Sequence, residues 1–343
     1  MSRDICFDLI FDALSTSEGN VLWVLDENPP LNAPAAQARV TVICNRFDAV
    51  EQLERQGWNV IFSDFDFTHL PSGHYSTVIY RLSKEKALAH FVINSAHALL
   101  APGGRLIISG AKQEGIKGYL DRTAKRYTQC ERWKADKQHW AGAYDVTAVG
   151  PALDDKDYPQ LRSIGSESGL EFFSKPGVFG WNKFDKGSQL LIEHVKALNL
   201  ELSHESQVLD LGCGYGYLSL WAANLFKCEI TATDNSATAL LACAQSLQSS
   251  GVKHQLIAAN AGHTLQQSFD LILCNPPFHT GFDVENDLTE VFLKSAARVL
   301  KTGARALFVV NLHIPLERKA QAFFTHIKLL SDNPHFKVIE LAL

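Results

Sequence analysis

Runs of five or six apolar residues alternate with stretches of helical period along most of this chain. In the first half, Asn20–Leu25 reads as a buried strand closed by Asp26-Glu-Asn-Pro-Pro30, and Arg39–Ile43 reads as a second. Phe47–Gln56 carries Phe47, Val50 and Leu53 at helical spacing and stops at Gly57, a suitable left-handed C-cap. Val60–Phe62 and Thr77–Tyr80 are further strands. Lys84–Leu100 is a helix ended by Pro102-Gly103-Gly104, and Arg105–Ser109 returns as a strand. The second half repeats the rhythm, with strands predicted at Gln207–Leu211, Glu229–Thr233, Gln255–Ala259, Phe269–Cys274 and Arg305–Val310. Helices are predicted at Leu218–Lys227, Ala237–Ser249 and Leu288–Leu300. Short, wholly apolar strands alternating with helices imply βαβ units and mostly parallel sheets covered on both faces.

Between the halves, residues 141–178 are rich in Gly, Pro, Ser and Asp and read as the linker. The halves also resemble each other: Leu100, Gly103 and Arg105 recur as Leu300, Gly303 and Arg305. Shared turns of this kind occur between unrelated α/β domains, but with the common rhythm they favour a duplication. The expected fold is two tandem doubly wound α/β domains, residues 1–165 and 166–343, each with a seven-stranded sheet. A length of 343 residues agrees with two domains.

Composition changes this picture little. Hydrophobic residues make up 46% and charged residues 20%, which sets aside disordered, fibrous and coiled-coil classes. The net charge of −5 argues against coating nucleic acid by bulk charge and leaves a local basic patch open. Met1-Ser2-Arg3-Asp4 lacks the basic and apolar pattern of a signal peptide, and no apolar run reaches the ~18 residues of a membrane span. Seven scattered cysteines form no C-x-x-C pair, so neither a disulfide framework nor a zinc site is signalled. A cytoplasmic protein without a membrane partner or a metal is expected.

The most informative segment is Val208-Leu-Asp210-Leu-Gly212-Cys213-Gly214-Tyr-Gly216-Tyr-Leu218. A strand enters three glycines at alternate positions and a helix follows. Such glycines permit positive φ and close approach of a ligand to backbone, and the helix N-terminus adds free N–H groups. Tyr217 breaks the dinucleotide spacing and no Gly-Lys-Ser/Thr follows, so neither phosphate loop fits. Asp210 would repel a diphosphate and hold a cationic ligand.

This loop resembles the first motif of class I S-adenosylmethionine-dependent methyltransferases. The resemblance implies that Asp210, Gly212 and Gly214 hold the methionine end of that cofactor, with Cys213 and Gly216 as further cofactor-binding residues of the loop. Asp234 and Asn235, after the next strand, would take the ribose, and Asn260 after the third would lie at the adenine. Asp234 also fits a helix N-cap, a role compatible with the first, and Asn260 also fits a plain turn. The fourth strand ends in Asn275-Pro276-Pro277-Phe278-His279, which resembles the Asn/Asp-Pro-Pro-aromatic box of amine methyltransferases. An aromatic amine is a poor nucleophile because its lone pair is delocalised. The side-chain oxygen of Asn275 and the carbonyl of Pro276 can accept from it, and Pro277 stiffens the turn. Phe278 can stack on a base. His279 is read as a loop residue.

A second resemblance narrows the group. Pro176-Gly-Val-Phe179 to Asp185-Lys-Gly187-Ser188 is similar to a segment of the RsmC/RlmG group of ribosomal RNA guanine-N2 methyltransferases, with Gly180, Trp181 and Lys183 departing from its usual pattern. In that group the segment helps close the cofactor site, which implies Asp185 and Ser188 as cofactor contacts. Pro334–Glu340 resembles the group's closing strand. The group's first half is a methyltransferase-like domain without catalytic motifs, and here Asp26–Pro30 lacks the glycines and Arg81-Leu-Ser-Lys replaces the amine box. The resemblance implies a monomer that methylates N2 of a guanine in 16S (small-subunit) ribosomal RNA, with ribosomal RNA or the small ribosomal subunit as partner. Another amine methyltransferase, acting on large-subunit guanine N2, adenine N6 or a glutamine amide, or a non-catalytic RNA-binding assembly factor, would be the alternatives.

Within the first half, residues 112–140 hold eight basic residues against four acidic ones, interleaved with Tyr119, Tyr127, Trp133 and Trp140. Lys117, Arg122, Lys125, Arg126, Arg132 and Lys134 are the candidate RNA contacts, by phosphate neutralisation beside stacking aromatics. A solvated helical face is the competing reading.

Overall fold

Strands that are apolar on both faces become central strands of parallel sheets, and that rule organises both halves. A computed structural model describes residues 4–27, 29–30, 33–248, 250–277 and 282–343, with backbone alone at 282–287 and 332. The chain divides into two compact units, residues 1–160 and 161–343. The first contains α1 (Ile5–Thr16), β1 (Val21–Leu25), β2 (Val40–Cys44), α2 (Phe47–Arg55), β3 (Asn59–Phe62) and β4 (Tyr75–Arg81). It continues with α3 (Lys86–Leu99), β5 (Leu100–Ala111), α4 (Ile116–Arg126), β6 (Thr128–Lys134) and β7 (His139–Asp145).

The second unit opens with a hairpin, β8 (Arg162–Glu167) and β9 (Leu170–Ser174). Then come α5 (Lys186–Ala197), β10 (Gln207–Leu211), α6 (Tyr217–Phe226), β11 (Glu229–Asp234), α7 (Ala237–Gln248) and β12 (His254–Ala258). It ends with β13 (Phe269–Cys274), α8 (Phe282–Val299), β14 (Leu300–Asn311), α9 (Leu316–Ala320), β15 (His326–Asp332) and β16 (Phe336–Ala342).

The two seven-stranded sheets have the same order, β3-β2-β1-β4-β5-β7-β6 and β12-β11-β10-β13-β14-β16-β15. In each, the first five strands pair in parallel and the last two pairings are antiparallel, so β7 and β16 run against the other six strands of their sheets. The likeness extends to an irregularity: Tyr75 pairs Leu100 and Thr77 pairs Arg105 around a register shift, as Phe269 pairs Leu300 and Leu271 pairs Arg305. All five side chains of β1 are buried, and so are four of five in β10, so helices cover both faces of each sheet.

Three readings can be set against the structure. The two compact units meet at residues 160 and 161, whereas a boundary at 165 would cut β8 and separate the hairpin pairs Arg162–Ser174 and Gly165–Phe172. The expected linker 141–178 is largely structured. Its Gly and Ser form the hairpin turn, where Ser168 and Gly169 have φ of 52° and 81°. Tyr158, also within it, is buried with its hydroxyl 2.9 Å from Asp64. Residues 112–140 are not one helical face, because the chain leaves α4 and returns as β6, an edge strand that is exposed except at Trp133.

Candidate active site

The second sheet reverses its order of progression between β10 and β13, with β11 on the other side of β10. Loops leaving the carboxyl ends of parallel strands open a crevice at such a point. The candidate residues follow from this topology, since Gly212–Gly216 leave β10, Asp234 ends β11, Asn260 follows β12 and Asn275 follows β13.

Gly212, Gly214 and Gly216 have φ of 87°, 53° and 82°, in the region that side chains disfavour. The loop is pinned to β11, since the N–H groups of Gly212 and Cys213 donate to the carbonyl of Thr233 at 2.9 and 2.8 Å. The glycines are needed for different reasons. A Cβ on Gly216 would lie 2.8 Å from Cys243 Sγ, and one on Gly212 3.2 Å from Phe292 Cε1. A Cβ on Gly214 would meet nothing within 4 Å, so this glycine faces open space.

Asp210 is 1% exposed. Its Oδ2 accepts from the backbone N–H and the hydroxyl of Ser219 in the first turns of α6, at 2.8 and 2.6 Å. Its Oδ1 is buried with no hydrogen-bond partner among the described residues. Burial raises the carboxyl to about 7, against the two bonds from Ser219, and Asp234 adds to the rise. One oxygen of this buried carboxylate therefore lacks a donor, which a water or a bound cation would supply.

Asp234 ties the glycine loop to the turn that leads into α7. Its Oδ1 accepts from the N–H of Ser236 ahead of α7, and its Oδ2 accepts from the N–H of Gly214, both at 2.9 Å. Asn235 follows it, half-buried. Asn260 is half-buried at the head of a single 3-10 turn, where its carbonyl accepts from the N–H of His263 at 3.2 Å. The turn geometry read from the sequence is therefore present.

Asn275 is half-buried, Pro276 buried and Pro277 exposed. Phe278 and His279 lie outside the described residues. The Nδ2 of Asn275 donates to Asp185 Oδ1 at 2.7 Å and to Ser188 Oγ at 2.9 Å. Asp185 also caps α5, accepting from the N–H of Ser188 at 2.8 Å, and its own N–H donates to the hydroxyl of Tyr215 at 3.2 Å. The Pro176–Ser188 segment thus reaches both the glycine loop and the amine box. Ser219 and Tyr215 were not singled out in the sequence. Their position just after and within the glycine loop was the available signal.

In the first unit the basic stretch divides. The cations Lys117 Nζ, Lys134 Nζ and Arg132 Cζ lie 4.6, 5.2 and 5.8 Å from the ring centre of Trp140. Lys125 is exposed, and Arg122 lies over Tyr119 at 4.7 Å. Arg126 is not an RNA contact. It is buried, and its guanidinium donates to the hydroxyl of Tyr127 and to the carbonyls of Gly150 and Asn94, each at 3.1 Å. Tyr119 and Tyr127 are also buried, leaving Trp133 and Trp140 as the half-exposed aromatics.

Glycine loop, acidic strand end and Asn-Pro-Pro box at one crevice of this sheet define a Rossmann-like methyltransferase. The chain belongs to the methyltransferase small domain family, whose model matches residues 169–340, and the family's N-terminal domain matches residues 18–139. Similar relatives carry the name ribosomal RNA small subunit methyltransferase C. That of Shewanella loihica is 27% identical over 310 residues, covering 88% of this chain and 87% of the relative. That of Hahella chejuensis is 27% identical over 326 residues, covering 91% of each. Among solved structures, the T. thermophilus 16S rRNA N2 G1207 methyltransferase in complex with AdoMet and guanosine has a TM-score of 0.84 and 24% identity. That match covers 99% of this chain and 92% of that one, and it bears on the fold.

Proposed function

We propose that the second unit binds S-adenosylmethionine and transfers its methyl group to the exocyclic N2 of a guanine in small-subunit ribosomal RNA. The carrying observation is Asn275, whose amide nitrogen is tied to Asp185 and Ser188 at the end of the strand beside Asp210. The crevice fits the cofactor on its own terms. The unpartnered Oδ1 of Asp210 suits an ammonium, and the open face of Gly214 lets a ligand lie against backbone. Gly212, Cys213 and Gly216 shape the same loop. Asp234 and Asn235 would bind the ribose hydroxyls, and Asn260 the adenine edge.

The cofactor supplies a methyl group already activated on sulfur, so the protein needs positioning and charge placement more than acid–base chemistry. Asn275 Oδ1 and the Pro276 carbonyl accept from the two N–H groups of the amine, and draw its lone pair toward the crevice. Phe278 is assigned to stack on the base. The exposed residues Lys117, Lys125, Arg132 and Lys134, with the half-buried Arg122, would hold RNA phosphates. The relatives' shared name supports ribosomal RNA as substrate, and the guanosine in the T. thermophilus complex supports guanine. Among the described residues no helix is long and apolar enough to cross a membrane; a cytoplasmic site of action and a monomeric state are part of this proposal.

The test is methyl transfer from labelled S-adenosylmethionine to 16S rRNA and to assembled small subunits, followed by nucleoside analysis. Label in N2-methylguanosine is expected, with Asn275→Ala lowering kcat by about 10²–10³-fold while cofactor binding persists. Label in N6-methyladenine or in protein glutamine would overturn the substrate assignment.

A further inference from the structure

We infer that Asp185 and Ser188 are positioning residues that fix which way round the Asn275 amide lies, so that its oxygen and not its nitrogen meets the substrate amine. The inference rests on the reading above and deepens it. An asparagine amide has two nearly isosteric ends with opposite hydrogen-bonding character. Turned one way it accepts from an amine. Turned the other way it presents two N–H donors to a group that is itself a donor. An amine-binding site therefore needs something that tells the ends apart.

The surroundings of Asn275 do so. A carboxylate oxygen accepts and does not donate, and Asp185 Oδ1 stands 2.7 Å from Nδ2. Flipping the amide would bring two oxygens to that distance. The second Nδ2 hydrogen goes to Ser188 Oγ at 2.9 Å. Both N–H groups are then committed, and Oδ1 is the amide's remaining hydrogen-bonding atom. The anchors are themselves fixed: Asp185 is the N-cap of α5, Ser188 is buried in its first turn, and the Asp185 N–H is held by Tyr215. The glycine loop and the amide are thus oriented from one helix start. Polarity also sets specificity, since a locked acceptor favours an amino group and opposes a carbonyl oxygen in its place.

Asp185→Ser separates this role from a structural one. Serine is as good an N-cap as aspartate, so α5 keeps its start, but the shorter side chain does not reach Asn275. We expect kcat to fall about 10–100-fold with the cofactor Kd and thermal midpoint near wild type. Asp185→Asn restores an acceptor at that place and should return most of the rate. The reciprocal change is sharper. Asn275→Asp opposes two carboxylates and should lose activity, and adding Asp185→Asn should recover it at least tenfold by replacing one of them. If Asp185→Ser weakens S-adenosylmethionine binding and leaves the saturated kcat unchanged, the two residues are cofactor contacts and the inference fails. It also fails if the paired change brings no recovery.

The orientation is readable without catalysis, from hydrogen exchange of the ¹⁵N-labelled Asn275 side chain. Slow exchange that becomes fast in Asp185→Ser supports the lock, and fast exchange in the wild type overturns it. Absence of methyl transfer by the wild type would instead count against the proposed function.

Discussion

Arg81 occupies in the first sheet the position that Asn275 occupies in the second. Thr77 and Leu271 pair with Arg105 and Arg305 in the matching strands, and four residues further on stand Arg81 and Asn275. The correspondence includes their partners. Asn275 binds Asp185, the N-cap of the helix preceding the first parallel strand, and Arg81 binds Asp4, the N-cap of the equivalent helix. By the same register Trp23 stands at the place of Asp210, and Cys44 at that of Asp234. The first unit retains the framework of a methyltransferase with its chemistry exchanged for packing. Trp23 is fully buried against Phe7, Phe11 and Trp58, with ring centres 5.1–6.1 Å apart.

Arg81 should accordingly be a stability residue. Its Nε is 2.9 Å from Asp4 Oδ2 and an amino group 2.8 Å from Glu114 Oε1, in a setting where the arginine is 6% exposed. Those acidic partners hold its guanidinium more firmly protonated than usual, against the opposing effect of burial. Arg81→Met leaves Glu114, only 10% exposed, without a counter-charge and should cost about 3–5 kcal/mol, read by urea denaturation. Adding Glu114→Gln should recover much of it. Calorimetric titration should give one S-adenosylmethionine site per chain, in the wild type and in Arg81→Asn alike, because Trp23 and Cys44 remain. A second site would contradict the register argument.

The central strands were legible because burial on both faces makes them apolar runs that periodicity detects, and the glycine loop because its conformation demands glycine. The antiparallel edges were not. β6 reads Thr-Gln-Cys-Glu-Arg-Trp-Lys and is held by backbone pairing to β7, with little apolar pattern. The tie between Asp185 and Asn275 spans 90 positions and exists only after α5 and β13 come together. Arg126 looks like any other basic residue of its helix until Gly150 and Asn94 are folded against it.

The glycine loop should separate folding from binding. Gly214→Ala places a methyl in open space at a φ of 53° and should cost about 1–2 kcal/mol of stability. It should also weaken S-adenosylmethionine binding by tenfold or more, a loss of at least about 1.4 kcal/mol, because the methyl would project into the proposed cofactor crevice. Gly216→Ala instead drives a methyl into Cys243, 2.8 Å from its sulfur and 3.1 Å from its Cα. It should lower the thermal midpoint more, by overpacking of about 1–3 kcal/mol in addition to the backbone strain. Equal destabilisation by the two variants would contradict this division.

Asp210 predicts a pH dependence of known sign. Its carboxyl rises from 3.8 to about 7 on folding, chiefly through burial. Between those values the folded chain keeps a proton that the unfolded chain releases, so stability without ligand falls as pH rises from about 4 to about 7. Asp26, also buried and raised to about 7, contributes the same slope in the first unit. Asp210→Asn should therefore reduce the slope and leave the part due to Asp26. Cofactor binding should run the other way. An ammonium selects the ionised carboxylate, so affinity should fall by up to about tenfold per pH unit below 7, with proton release on binding. Calorimetry in buffers of different ionisation enthalpy measures that proton, and a pH-independent Kd between pH 5.5 and 7.5 would exclude the pairing.

The cations around Trp140 predict where RNA meets the first unit. Lys117, Arg132 and Lys134 are exposed and share one aromatic ring, whereas Arg126 is internal. Arg132 also pairs with Asp121 at 3.1 Å, a bond between exposed groups that a phosphate can replace at little cost. Each phosphate contact releases counterions, so changing all three to Gln should lower RNA affinity and flatten the slope of log K against log salt by about 2. S-adenosylmethionine binding should be unaffected, since the cofactor crevice belongs to the other unit. Trp140→Ala should weaken RNA binding with little change in salt slope, as loss of stacking does. Arg126→Gln should behave differently from all of these, lowering the stability of the first unit and leaving the salt slope of the folded protein unchanged. Filter binding across a salt series separates the cases, and an unchanged slope in the triple variant would remove this face from the RNA interface.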